Sequence, residues 1–293
     1  MGRSLLNRRH PFVDSRVWVL FEISTRNTPY PSDKGTASLK STNRLGELWI
    51  DYITLGWFAI INLLKQSITG LDMKDFYKKF QIVSKFPLWP SYLRQVYKKA
   101  IVDALALGIG SLQNRASFTC LLCGVSGEIT ANEFIKFALK LHPKCKIMVI
   151  DLGEPQVNSV KQLVAEKFSE ADIEIRRANA LNLDFIQNNS IDWIDTDGFF
   201  SFFDKDQLVA LFKEWKRILR KDGFITFREL TSDNVLSISA NKFRDRVSRV
   251  YINTKLHLHT FEELKKDFAT LQFKYARHHS PIPFLERYCL LNE

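Results

Sequence analysis

Asp151 closes the apolar run Ile147-Met-Val-Ile, and Glu229 closes Phe224-Ile-Thr-Phe-Arg. Between them, Ile191-Asp-Trp-Ile leads into Asp195 and Asp197. An acid at the carboxyl end of a strand faces whatever ligand a doubly wound sheet takes up. Asp151 stands 24 residues beyond Gly127, near the spacing at which a carboxylate meets the hydroxyls of a ribose. Asp195, Asp197 and Glu229 stand where a base could take a proton from a reacting oxygen or nitrogen, and Asp197 and Glu229 form the preferred pair. His257 and His259 are further candidate bases. An HxH pair also suggests a metal, but no third ligand accompanies it and no metal site is expected.

These residues need a sheet to hold them. The run Phe118–Cys123 predicts a strand, broken by Gly124-Val-Ser-Gly127. Phe134, Phe137, Ala138 and Leu141 then share one helical face behind the capping box Thr130-Ala-Asn-Glu133. Lys146–Asp151, Ile173–Arg177, Ser190–Asp195 and Phe224–Arg228 predict further strands. Asp204 with Gln207 opens a helix over Leu208–Leu219, and Gly223 ends the connection that follows. A third capping box, Thr260-Phe-Glu-Glu263, precedes a terminal antiparallel pair at Leu271–Ala276 and Glu286–Leu291. The expected class is α/β: a doubly wound, mostly parallel sheet with a C-terminal antiparallel hairpin, preceded by a helical N-terminal block.

The chain has 293 residues, 45% hydrophobic and 13% aromatic, enough for a large core. Of its net charge of +10, residues 1–44 hold eight Lys/Arg against three Asp/Glu; the remainder holds 34 against 29. That reads as a basic polar extension on a mildly basic body, and nucleic acid is not the expected partner. Four cysteines are too few for a disulfide scaffold, and Cys120-x-x-Cys123 has no companion pair; buried thiols in a reducing compartment are expected. The basic start is not followed by a secretory apolar region, and the longest apolar run, Ile53–Leu64, falls short of the roughly 20 residues of a membrane span. A cytoplasmic protein is expected. Residues 45–110 read as helices, with Leu48, Tyr52, Leu55, Ala59 and Leu63 at helical steps, and Ser91 opening a helix through Tyr97 and Leu105. This block is expected to act as a lid, with Trp49, Tyr52, Trp57, Trp89 and Tyr92 as candidate pocket residues, before a ligand-binding domain over 111–293.

Four segments carry a family resemblance: Leu121-Leu-Cys-Gly-Val-Ser-Gly127, Ile147-Met-Val-Ile-Asp151, Ala178-Asn-Ala-Leu181, and Trp215-Lys-Arg-Ile-Leu-Arg-Lys-Asp-Gly223 before a strand. Together they resemble the class I, Rossmann-like S-adenosylmethionine-dependent methyltransferases over roughly residues 100–293. The resemblance implies S-adenosyl-L-methionine as cofactor. Gly124, Val125 and Gly127 would cradle its amino-acid end, Asp151 and Leu152 its ribose, and Asn179 and Ala180 its adenine, with Asp195 completing the set. The family's loop commonly reads acid-x-Gly-x-Gly-x-Gly, whereas Leu121, Cys123 and Val125 occupy the first three of those positions here. Asp197 and Glu229 would serve as bases, and Trp89, Tyr92 and Phe199 would line a site for a small, largely apolar or aromatic acceptor methylated on oxygen or nitrogen. An RNA methyltransferase and a non-catalytic relative that kept the fold are the alternatives.

Overall fold

The computed structural model describes residues 89–293, apart from 111, 113, 114, 126, 253, 281–284 and the side chains of 236, 247 and 250–252. The extension 1–44 and the expectations for Trp49, Tyr52 and Trp57 lie outside the described residues. In chain order the elements are α1 (Trp89–Leu107), β1 (Thr119–Cys123), α2 (Glu128–Leu141), β2 (Lys146–Asp151), α3 (Glu154–Lys167), β3 (Ile173–Arg177), β4 (Ile191–Asp197), α4 (Lys205–Ile218), β5 (Leu219–Glu229), α5 (Val235–Ile252), α6 (Phe261–Thr270), β6 (Phe273–His279) and β7 (Glu286–Asn292). The seven strands run in the order β3-β2-β1-β4-β5-β7-β6, parallel except for β7. The order reverses between β1 and β4, and such a reversal opens a crevice at the carboxyl ends of the strands.

Burial on both faces explains why β1 and β2 read as nearly unbroken apolar runs; β4 is equally buried but carries Asp192, Asp195 and Thr196, whose side chains are hydrogen-bonded inside. On one face, Trp193 of β4 stacks on Phe224 at 5.6 Å and meets Phe134 at 4.8 Å and Tyr97 at 6.3 Å. On the other, Phe200, Phe212, Trp215, Phe227 and Phe268 form a second aromatic layer. At the amino ends of the strands, buried Asp192 accepts from the Thr119 amide at 2.8 Å and pairs with Arg115 and Arg220.

α1 departs from the lid expectation. Leu93, Val96, Tyr97, Ala100 and Ala104 are buried in the first layer, so this helix is part of the core. Asp103 on the same helix makes a buried bidentate pair with Arg287 of β7, at 2.7 and 3.2 Å. The helix already includes Trp89 and Pro90, so Ser91 lies within it and does not open it. A proline in the first helical turn is tolerated because its missing N–H has no partner there.

Three local expectations shift. The box at Thr130 does not form, because α2 starts at Glu128 behind Gly127 and Glu133 instead binds Arg94 at 2.9 Å. β5 begins at Leu219, with a register irregularity opposite Ile191–Trp193, so Gly223 lies within the strand; the residue with positive φ there is Asp222. β6 starts two residues later than expected and runs on to His279. The boxes Asp204/Gln207 and Thr260/Glu263 both form.

Candidate functional site

The β1–α2 loop and the end of β2 are joined by one carboxylate. Asp151 Oδ2 accepts from the Val125 amide and Oδ1 from the Gly153 amide, both at 2.7 Å. Burial pushes its carboxyl above the ordinary range, against the pull of the backbone donors at Val125, Gly153 and Leu152. A carboxylate has about four lone-pair sites, so the 2.7 Å bonds from Val125 and Gly153, with the weaker pull of Leu152, leave acceptor capacity. Asp151 is only half-buried. Its free acceptors therefore suit a vicinal diol, and the ribose of the implied cofactor fits here.

The loop itself turns at Gly124, which has φ +72° and donates its amide to Ile150 O at 2.9 Å. A Cβ at Gly124 would lie 2.6 Å from the Phe199 ring. The 124 position thus needs glycine both for its left-handed backbone and for the aromatic wall pressed against it. Gly127, by contrast, is extended, with φ 167°. At Gly153 a Cβ would meet Gln156 Oε1 at 2.0 Å, so a side chain in the turn after Asp151 would have to displace the end of Gln156.

Leu152 beside Asp151 is 64% exposed, an apolar surface at the crevice edge. Asn179 Oδ1 accepts from the Leu181 amide at 3.0 Å, forming a local turn, and Ala180 is buried. Residues 178–180 are tied to the end of β2 by the Ala178 amide, which donates to Asp151 O at 3.0 Å.

At the ends of β4 and β5 a buried polar cluster forms. Arg228 binds both oxygens of Asp195 at 2.6 and 3.0 Å. Thr226 donates to Asp195 Oδ1 at 2.5 Å and accepts from Trp193 Nε1 at 2.7 Å. Asp195 is fully buried and turned toward these groups, which withdraws it from the cofactor set. Asp197 lies 3.5 Å from Arg228 and stays 16% exposed at its side chain. Burial raises its carboxyl to about 6, with Asp195 and Glu229 adding to the rise and Arg228 opposing it. Asp197 Oδ2 and Arg228 Nε have no hydrogen-bond partner among the described residues.

α1 covers this cluster. The Tyr97 ring lies under the Arg228 guanidinium at 5.4 Å. Tyr92 packs on Trp89 at 5.1 Å, and its hydroxyl is held protonated by burial and by nearby Asp197. Phe199 makes an edge contact with Phe203 at 4.9 Å.

Glu229 has a different role from the one expected. Its oxygens accept from the Phe200 amide at 2.8 Å and the Leu230 amide at 3.0 Å, and Arg244 lies 3.5 Å away. This carboxylate braces the turn after β4. His259 Nε2 lies 3.1 Å from the carbonyls of Phe200 and Phe203 and fixes the same turn, while the His257 amide donates to Ser201 O at 2.7 Å. The two histidines lie in an irregular segment before α6, not on a strand. The residues missed by sequence reading are Arg228, Tyr97 and Gly153. A charged residue inside the apolar run of β5 was the available signal for Arg228.

A family profile described as a methyltransferase domain matches residues 130–223. A search of curated proteins finds no match. Among solved structures, a possible exported protein from Bordetella parapertussis aligns at 15% identity and TM-score 0.50, covering 67% of each chain. The YcgJ protein of Bacillus subtilis aligns at 15% identity and TM-score 0.49, covering 65% of this chain and 98% of its own. A SAM-dependent methyltransferase from Methanosarcina mazei aligns at 13% identity and TM-score 0.47, covering 61% and 94%. At 15% identity and TM-score 0.50, the first of these speaks to the fold alone.

Proposed function

We propose that this chain, which carries a class I S-adenosylmethionine-dependent methyltransferase domain with S-adenosylmethionine as its cofactor, methylates an oxygen or nitrogen of a small, largely apolar or aromatic acceptor. In this reading the domain spans 111–293, and α1, the described part of the 45–110 block, supplies one wall of the acceptor site. The observation that carries it is Asp197: a carboxylate at the end of β4, beside Tyr92, that keeps 16% of its side chain exposed while its buried Oδ2 faces Arg228 at 3.5 Å. Four free, buried cysteines accord with a cytoplasmic setting.

The cofactor, when bound, supplies an already activated methyl group. The chain's own residues then bind, orient and dry the site. Asp151 holds the two ribose hydroxyls, the backbone of Gly124, Val125 and Gly127 borders the amino-acid end, and Leu152, Asn179 and Ala180 flank the base. Trp89, Tyr92 and Phe199 exclude water and align the acceptor, and alignment of this kind is worth roughly 7–11 kcal/mol. Asp197 takes the proton from an acceptor O–H or N–H at Oδ1, since Oδ2 is buried toward Arg228. A pKa near the working pH suits that task. Asp195, Thr226 and Arg228 hold Asp197 in place. Glu229 stays with the turn it braces.

Transfer of labelled methyl groups to a panel of phenols, amines and acids tests this reading, with cofactor binding followed by calorimetry. Turnover on aromatic acceptors is expected, and Asp151→Ala should weaken cofactor binding by on the order of 100-fold through lost charged hydrogen bonds. No turnover across the panel would remove the small-acceptor reading. Unchanged affinity in the Asp151 variant would remove the ribose role.

A further inference from the structure

The two faces of α5 differ in chemistry. Its inner face is tied down by polar contacts: Asn241 donates to Leu230 O and Ser232 Oγ, Arg244 binds Ser201 and Glu229, and Ser248 donates to Thr254 O. At 3.6 residues per turn the opposite face carries Lys242, Arg246 and Arg249, flanked by Phe243, all exposed. Lys242, Asp245, Arg246 and Arg249 line a concavity of about 420 Å³.

Every arginine of the described residues except Arg246 pairs with a carboxylate. Arg246 and Lys242 have neither an ion-pair nor a hydrogen-bond partner among those residues. Arg249 is oriented by Asp245, which accepts from its Nε at 2.8 Å and from the Leu256 amide at 2.8 Å. Residues 235–256 hold five Lys/Arg and one Asp. This stretch thus carries four of the five net positive charges that lie beyond residue 44. Arg244 and Arg249 are spent on Glu229 and Asp245, whereas Lys242 and Arg246 stand uncompensated at the hollow.

We propose that this concavity binds a phosphate group. Arg246 is its forked ligand, since a guanidinium matches phosphate oxygens two at a time. Lys242 and the oriented Arg249 flank the anion. The phosphate belongs to a small phosphate ester, since a concavity of about 420 Å³ is of small-ligand size.

The full chain is titrated with sodium pyrophosphate, with a short oligouridylate, and with phosphatidylcholine vesicles with and without phosphatidylglycerol. Each titration is run on the wild type, on Arg246→Gln and on Lys242→Gln. Pyrophosphate should bind and weaken by roughly tenfold in the Arg246 variant, the worth of one charge-assisted contact pair. Much tighter, salt-sensitive binding of the oligouridylate would overturn the small-ester assignment in favour of a polymer. Sedimentation only with phosphatidylglycerol vesicles would overturn it in favour of a membrane surface. S-adenosylmethionine affinity, measured on the same samples, should be equal in all three proteins, so failure here is distinct from failure of the cofactor reading. Binding of none of the probes, or binding indifferent to both substitutions, overturns the proposal.

Discussion

Asp195 and Asp197 share one buried arginine, so the cluster keeps an excess negative charge when both are ionised. The bidentate bond goes to Asp195, and the cost of the surplus charge falls on Asp197. A carboxyl that holds its proton up to about pH 6 in the fold, but only to about 3.8 when free, opposes folding once ionised. Its contribution to stability is complete below the lower value and is lost as pH rises through the upper one. Asp197→Asn should therefore raise unfolding free energy at neutral pH by about 1–3 kcal/mol and flatten the pH dependence of stability across that window. Urea titrations at several pH values measure this. The same substitution should lower turnover by roughly 10²–10⁴-fold and abolish the rise of activity through pH 6. A variant that is less stable at neutral pH would contradict the electrostatic account.

At the scale of the elements, the glycine loop works because β1, β2 and the turn after β4 meet at one point. Gly124→Ala would place a methyl group 2.6 Å from the Phe199 ring on a backbone with positive φ. The expected cost is about 1–3 kcal/mol of stability together with weaker cofactor binding, read by thermal melts and calorimetry. The strands and Asp151 were legible because an apolar run, a turn and a terminal acid are local patterns. The terminal antiparallel pair was legible as a local hairpin, but the order of the sheet, with β7 between β5 and β6, was not. The Asp195–Arg228 pair was not legible, because the partners sit 33 residues apart and nothing in either segment names the other. The failed box at Thr130 has a similar cause: Glu133 has a partner on α1, 39 residues upstream, that a local pattern cannot reveal. Glu229 looked catalytic from its place at a strand end, but its oxygens are taken by amides.

For the whole molecule, α1 is welded to the far side of the sheet by Asp103 and Arg287. Removing one member of a buried pair leaves an uncompensated charge, so Arg287→Met should destabilise by about 3–5 kcal/mol. The double variant Asp103→Leu/Arg287→Met should recover much of that loss. Denaturant unfolding of the three proteins checks both statements. Equal loss in the single and double variants would mean that packing, not charge, holds the helix.

β7 is the latest strand in the order of the chain, yet it is wedged between β5 and β6. Its Arg287 reaches back 184 residues to Asp103. A nascent chain emerging from the ribosome can form the β1–β5 half of the sheet early, but β6 has no neighbour until β7 arrives. Until then β5 presents a bare hydrogen-bonding edge and Asp103 has no arginine. Synthesis up to residue 292 is thus the step that seals the domain, and the interval before it is when a chaperone would be most needed.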